Sequence, residues 1–325
     1  LSLPLRLNSN NLNRYILIYG KGILMGLADL VPGVSGGTIA LISGIYEEFI
    51  ESLNALHPRL LVVLKQEGVA SFWKAANGAF LSSVFSGIIT SILVFSSIIQ
   101  YLLTNHQILL FSFFFGILLA SIIVLRKRVN SWNPTHLGLL LLGALLSFLS
   151  TQMVPSAAAI EPSYLFFCGF VAISAMILPG LSGAYILLVL GAYSRILSLV
   201  QEAKNIVFHW SQVNLAEATA VFGQLLLFVL GIIVGLLTFS RVLRWFLKRF
   251  YSQTLALLIG LMLGAIHEIW PWQIQEELVF ENKTRLIYTS VWPTDFEGAS
   301  QWEGALLLFG LGIGVLLLLE QFKTD

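Results

Sequence analysis

Pro32-Gly33-Val34-Ser35-Gly36 interrupts an apolar stretch near the start of this 325-residue chain, and the pattern returns as Pro179-Gly180-Leu181-Ser182-Gly183 inside another. Downstream, Gly44 and Tyr46 are answered by Gly191 and Tyr193 at the same separation. A proline removes a backbone donor and clashes with the preceding helical turn, and a glycine carries a large backbone-entropy cost. Neither belongs in the middle of a straight apolar helix. Two such breaks at matching places in two halves are the pattern of a transporter whose site lies at the breaks.

Around the breaks the chain is 57% hydrophobic and only 11% charged, with a mean hydropathy of +0.85. A soluble domain carries about a quarter charged residues. The stretches 76–103, 107–125, 135–153, 217–240, 253–270 and 303–319 are each long enough, or nearly so, to cross a bilayer. They are continuously apolar rather than alternating, which excludes a β-barrel. The reading is an all-α polytopic membrane protein. Residues 1–14 are polar and do not read as a cleavable signal peptide. The single Cys168 allows no internal disulfide, and a net charge of +1 names no partner.

Further matches follow the motif in order. Gly87-Ile88-Ile89 corresponds to Gly231-Ile232-Ile233, and Gly116-Ile117-Leu118-Leu119 to Gly260-Leu261-Met262-Leu263. One membrane domain over 1–325 therefore divides into repeats of about 15–153 and 164–319, with an external loop at 271–302. Each repeat reads as a broken or re-entrant helix pair (16–31 with 37–56, then 164–178 with 184–200) followed by three transmembrane helices. Three crossings between the broken pairs invert the second repeat. With the N- and C-termini in the cytoplasm, most basic residues fall inside, as the positive-inside rule asks. These are Arg6, Arg14, Lys21, Arg59, Lys65, Lys74, Arg126, Lys127, Arg128, Arg241, Arg244, Lys248, Arg249 and Lys323.

A helix restarted in mid-membrane presents unpaired N–H groups that need a partner. At Ser35-Gly36-Gly37-Thr38 and Ser182-Gly183-Ala184-Tyr185, small residues let an oxyanion approach the backbone, and the hydroxyls of Ser35, Thr38, Ser182 and Tyr185 add donors. The expectation is a paired anion cradle, with Pro32, Gly33, Pro179 and Gly180 making the breaks. The plainer alternative, tight helix crossing, suits Gly231–Gly235 and Gly260–Gly264 better, since packing needs no proline. Asp29, three residues before Pro32, reads as a proton- or ion-coupling carboxylate or as a local cap for freed N–H groups. Glu47 and Glu48 read as coupling residues or as a solvated interfacial pair. Arg195 suits an external-side phosphate contact, or snorkels to the interface.

The five histidines stand in separate connections or helix ends, so no metal site is expected. No P-loop lysine or GxSxG motif accompanies the glycines, and neither a cofactor nor nucleic acid is expected as a partner. An intramembrane enzyme would have only Ser35 or Ser182 with Asp29 as nucleophile and base. A carrier of a small soluble anion is the other alternative.

The stretch from Gly26 through Asp29 and Pro32 to Thr38, with Gly44-Ile45-Tyr46-Glu47, resembles the signature of the polyprenyl-phosphate transporter family. Pro179–Gly183 with Gly191-Ala192-Tyr193 resembles its second-half signature. The resemblance implies a flippase that returns undecaprenyl phosphate from the outer to the inner leaflet of the bacterial cytoplasmic membrane, without enzymatic chemistry. Ser35, Gly36, Gly37, Thr38, Ser182, Gly183, Ala184 and Arg195 would then bind the phosphate head, with Asp29, Glu47 and Glu48 coupling a proton or Na+. Alternating access between the repeats would carry the head, in a monomer or a homodimer. The Ala184-Tyr185 pair, where Gly37-Thr38 stands in the first motif, makes the half-sites unequal.

Overall fold

Apolar runs of this length satisfy their backbone internally as helices, and a computed structural model shows where they start and stop. It describes residues 9–31, 33–57, 59–152, 161–209, 214–280, 283–296 and 298–321. Pro32 and the expected extreme termini lie outside the described residues. Among the described residues six helices are long and apolar enough to cross a membrane. They are α5 (Gly78–Asn105), α6 (Gln107–Arg126), α7 (Pro134–Gln152), α11 (Leu215–Arg249), α12 (Tyr251–Gly264) and α13 (Trp302–Gln321), α12 being extended by a 3-10 turn over Ala265–Ile269. Local caps mark two of the starts: the Asn133 side chain accepts from the His136 N–H, and that of Asn214 from the Ala216 N–H. The chain is a multi-pass helical membrane protein.

The broken pairs differ from expectation in one respect. The first comprises α1 (Ser9–Asp29), α2 (Gly36–Ile42) and α3 (Tyr46–Ala55), and the second α8 (Pro162–Ile177), α9 (Gly183–Val189) and α10 (Tyr193–Phe208). The returning arm of each pair, read from sequence as continuous, is thus itself bent, by 106° between α9 and α10. The cause is Gly44 and Gly191, held at φ of 79° and 73°, a left-handed conformation that stops a helix and favours glycine. Between α3 and α5 lies α4 (Arg59–Ala75). The expected external loop also carries structure, an antiparallel hairpin of β1 (Gln273–Phe280) and β2 (Lys283–Ser290) in which Gln273 pairs with Ser290.

Glycines set the helix pairing. Gly22 and Gly26 of α1 back onto the main chain at Val84 and Ile88 of α5, while Gly231 and Gly235 of α11 back onto Phe166 and Phe170 of α8. Gly260 and Gly264 of α12 meet Leu140 and Ala144 of α7, and Gly304 and Gly312 of α13 meet Leu109 and Phe113 of α6. In each pair the contacts advance together, so the partners run parallel. Such contact is the usual source of association in lipid, where tails compete with Leu as well as another helix does. The small-residue spacing at 231–235 and 260–264 therefore serves packing. Leu93, Leu141, Leu226 and Leu307 point outward, and their exposure supplies the apolar belt that a bilayer covers.

One end of the bundle is charged. Glu48 on α3 takes both oxygens to Arg14 on α1, at 2.7 and 2.8 Å, and also accepts from Asn77. Glu51 meets Lys248 at 2.8 Å and Arg244 at 3.7 Å, both near the end of α11. The Tyr251 hydroxyl lies beside Glu47 and Arg128. Thus α3 is fastened to its own half and to the other. Among the described residues α10, its positional counterpart, has no comparable packing on α5.

Candidate functional site

The two breaks have the same local construction. After α1, Gly33 adopts φ of 79° and Ser35 is extended; after α8, Gly180 adopts φ of 82° and Ser182 is extended. Each serine caps the helix that follows. The Ser35 hydroxyl accepts from the Gly37 N–H at 3.2 Å, and the Ser182 hydroxyl from the Tyr185 N–H at 3.3 Å.

The breaks also touch. The Gly180 N–H donates to the Thr38 hydroxyl at 3.2 Å, Ser35 donates to the Leu178 carbonyl at 3.4 Å, and the Tyr46 hydroxyl donates to the Ile177 carbonyl at 3.1 Å. Tyr46 itself is only 1% exposed, so this last bond ties the first returning arm to the end of α8. A small cleft is lined by Gly33, Val34, Ser35, Thr38 and Gly180, with Phe114, Ile117, Leu118 and Ile269 as its apolar wall. Polar groups of both breaks therefore converge, 142 residues apart in sequence at the Thr38–Gly180 bond. Ser182, Gly183 and Ala184 stand outside this lining. Gly183 packs on Ala172 and Met176, Ala184 is exposed, and the Tyr185 hydroxyl bonds the Thr151 carbonyl.

Removing the Thr38 hydroxyl tests that bond. Thr38→Val is close in shape but leaves the Gly180 N–H without its acceptor, a loss of about 1–3 kcal/mol. The expected outcome is a lower thermal midpoint in detergent for Thr38→Val than for Thr38→Ser, which keeps the hydroxyl.

The carboxylates and the arginine are placed as follows. Asp29 caps α2: its Oδ1 accepts from the Gly36 N–H at 2.7 Å. The Gly36 N–H at the first break is thus already taken by a carboxyl group of the protein. Glu48 is consumed in the Arg14 pair, and Glu47 lies at the same charged end, so neither is at a break. Arg195 does not reach the cleft either. Its guanidinium donates to Gln224 on α11 at 2.8 and 3.2 Å and to Glu202, two turns along its own helix, at 3.1 Å. That Glu stands at i+7 on the same face, a signal present in the sequence.

Two residues were missed. Glu268 and His267, on the 3-10 turn after α12, lie between the breaks. Gly33 packs directly on Glu268 and Ile269, while the His267 Nε2 is 2.8 Å from the hydroxyl of Thr151, whose carbonyl receives Tyr185. Like Asp29, Glu268 closes an apolar run, but the tryptophans around it invite an aromatic-belt reading.

The match with known proteins covers most of the chain. Residues 25–287 fit the model of a family described as undecaprenyl phosphate translocase-like. A polyprenyl-phosphate transporter of Vibrio cholerae serotype O1 is 38% identical over 319 residues, covering 95% of this chain and 97% of the relative. A protein of the same name from Staphylococcus aureus is 30% identical over 263 residues, covering 77% and 84%. No solved structure matches. The chain therefore belongs to the undecaprenyl phosphate translocase-like family.

Proposed function

We propose that this protein carries a polyprenyl phosphate, undecaprenyl phosphate in a bacterial cytoplasmic membrane, from the outer to the inner leaflet by alternating access, driven by a coupled proton or Na+. The observation that carries the reading is the meeting of two matched helix breaks, one from each half, in one cleft with polar groups on one side and an apolar wall on the other. The names of the relatives supply the lipid. The halves are inverted repeats in this reading, and the parallel pairs support it. α1 pairs with α5 as α8 does with α11, while the second span of each half pairs with the third span of the other. Consecutive spans alternate in direction, so parallel exchange of second and third spans requires halves of opposite orientation.

The phosphate head takes the N–H groups and hydroxyls around Ser35, Gly36, Gly37 and Thr38 when Asp29 swings away. The second break, Ser182 to Tyr185, takes them in the opposite state, where Arg195 exchanges Glu202 for phosphate. Glu47, Glu48 and the basic residues they hold lie on the cytoplasmic side and keep that mouth closed. An enzymatic reading fares worse: Ser35 donates to Leu178, Ser182 accepts from the Tyr185 N–H and Asp29 accepts from Gly36, so neither of the two nucleophile–base pairs suggested by sequence is hydrogen-bonded together among the described residues.

The decisive measurement is reconstitution into liposomes containing labelled undecaprenyl phosphate. Faster loss of the label from the outer leaflet than in empty vesicles is expected, and equal rates with and without ion gradients overturn the proposal. Asp29→Asn is expected to slow transport at least about tenfold, equivalent to about 1.4 kcal/mol in the barrier, with folded protein retained.

A further inference from the structure

The turn Ala265–Ile269 underlies the first break, and α12, which the turn extends, underlies the second. A Cβ on Gly33 would stand 2.9 Å from the Cβ of Glu268, and one on Gly180 would stand 2.6 Å from the carbonyl of Leu261, two turns earlier on α12. Glu268 is half-buried, and its carboxylate has no hydrogen bond or ion pair among the described residues. Its main-chain carbonyl, by contrast, accepts from Gln273 at 2.9 Å. A carboxylate partly withdrawn from water without a partner is costly as an anion and is characteristically functional within a membrane.

Among the described residues no ion pair offsets it. The turn packs on α6, α7 and α12, whose ionisable residues are Arg126, His136 and Tyr251, all at the far ends of those helices. α2 has none; α1 brings a second carboxylate, Asp29, with Arg14, which pairs with Glu48, and the buried Lys21, whose Nζ donates to the Ser43 carbonyl at 2.9 Å. On the hairpin, Arg285 and Lys283 pair with Leu278 and Phe280, far along the strand from Gln273. The neighbouring His267 has its Nδ1 3.0 Å from the Gly264 carbonyl and its Nε2 2.8 Å from the Thr151 hydroxyl, which itself donates to the Phe148 carbonyl. A phosphate entering the cleft passes Gly33 and Ile269, which adjoin Glu268, and no positive side chain is among the residues that line it. Like charges in a site of low dielectric repel strongly unless one is neutralised.

We propose that Glu268 is the proton-coupling residue of this carrier: its carboxylate takes up one proton as the phosphate head enters the cleft and releases it as the head leaves. The step is a simple association, carboxylate plus proton giving the neutral acid, with no other bond made or broken. Gly33 transmits the event, because the turn of the first break cannot shift without moving against Glu268. His267 and Thr151 extend the same contact to Tyr185 on the second break. The inference rests on the carrier reading above and gives its coupling ion and residue.

The test uses farnesyl phosphate as a short-chain probe and the intact protein in detergent. Titration calorimetry in buffers of different ionisation enthalpy reads the protons taken up on binding. The wild type is expected to take up about one proton per phosphate bound, Glu268→Asp to retain the uptake, and Glu268→Gln to bind with heat independent of the buffer. In liposomes the same Glu268→Gln substitution should abolish the response of lipid movement to an imposed pH gradient. Buffer-dependent binding that survives Glu268→Gln but vanishes in Asp29→Asn would move the proton to Asp29 and overturn the proposal. Loss of all binding in Glu268→Gln would assign that residue to holding the phosphate and overturn it as well. A wild type that never accelerates lipid movement sinks the carrier reading alone, since the calorimetry still decides whether Glu268 takes the proton.

Discussion

Cross-linking cysteines placed at Glu51 and Lys248 is expected to stop lipid movement completely, and cleaving the linker to restore it. In alternating access, the seam closed in one state must open in the other. The seam seen closed joins α3 of the first half to α11 of the second, with Glu51 and Lys248 2.8 Å apart across it. A disulfide is too short for positions bridged by two long side chains, so the experiment calls for a reducible bis-methanethiosulfonate. Replacing the buried Cys168 with Ser removes the only other thiol. The ion pair itself contributes little, because both side chains are at least half exposed and such pairs are worth about 0–1 kcal/mol. Glu51→Gln alone should therefore change the rate only modestly. The contrast is diagnostic: a covalent tie abolishes transport, while loss of the charge barely alters it. An unchanged rate after complete cross-linking would show that this seam does not open.

The second large effect is on folding. Gly180→Ala places a Cβ on a residue at φ of 82°, 2.6 Å from the carbonyl of Leu261 and 2.7 Å from the nitrogen of Met262. Left-handed backbone costs an L-residue about 1–2 kcal/mol, and overpacking a close contact adds about 1–3 kcal/mol. Both neighbours are main-chain atoms of a spanning helix, so neither can turn aside. Together the terms predict about 2–5 kcal/mol of destabilisation. Gly138→Ala on α7, where nothing lies within 4 Å, should instead stabilise by about 0.5–1 kcal/mol through helix propensity. Thermal unfolding followed by size-exclusion chromatography distinguishes the two. A Gly180→Ala midpoint equal to that of the wild type would mean that the break is not held against α12.

The spans and the breaks were legible because their signals are local. Length and apolar continuity define α5, α6, α7, α11, α12 and α13, and a Pro-Gly beside a Ser-Gly is incompatible with uninterrupted helix. The bend at Gly44 and Gly191 was visible as a match yet hidden in meaning. Glycine in an apolar segment reads equally well as a packing residue, and only its φ decides. Arg195 is isolated in the sequence, but folding brings Gln224 of the next helix to it, and Glu202 was two turns away all along. Glu268 is the sharpest case, because nothing near it in sequence mentions Gly33. That contact exists only once α12 and the first break are assembled, and no periodicity within either segment encodes it.

The bond from the Gly36 N–H to Asp29 has a consequence for the protein at rest. Backbone donors aimed into the middle of a membrane form a stepping stone for any small anion, and chloride and inorganic phosphate far outnumber a lipid cargo. A resident carboxylate occupies the place such ions would take and repels the next to arrive. An anionic lipid head tethered by its tail beside the cleft has a local concentration that free ions lack, so it can compete for the place where they cannot. In the proposed carrier, Asp29 would thus keep the idle protein electrically tight. Without it, the same breaks would be a route for anion leakage across the membrane potential.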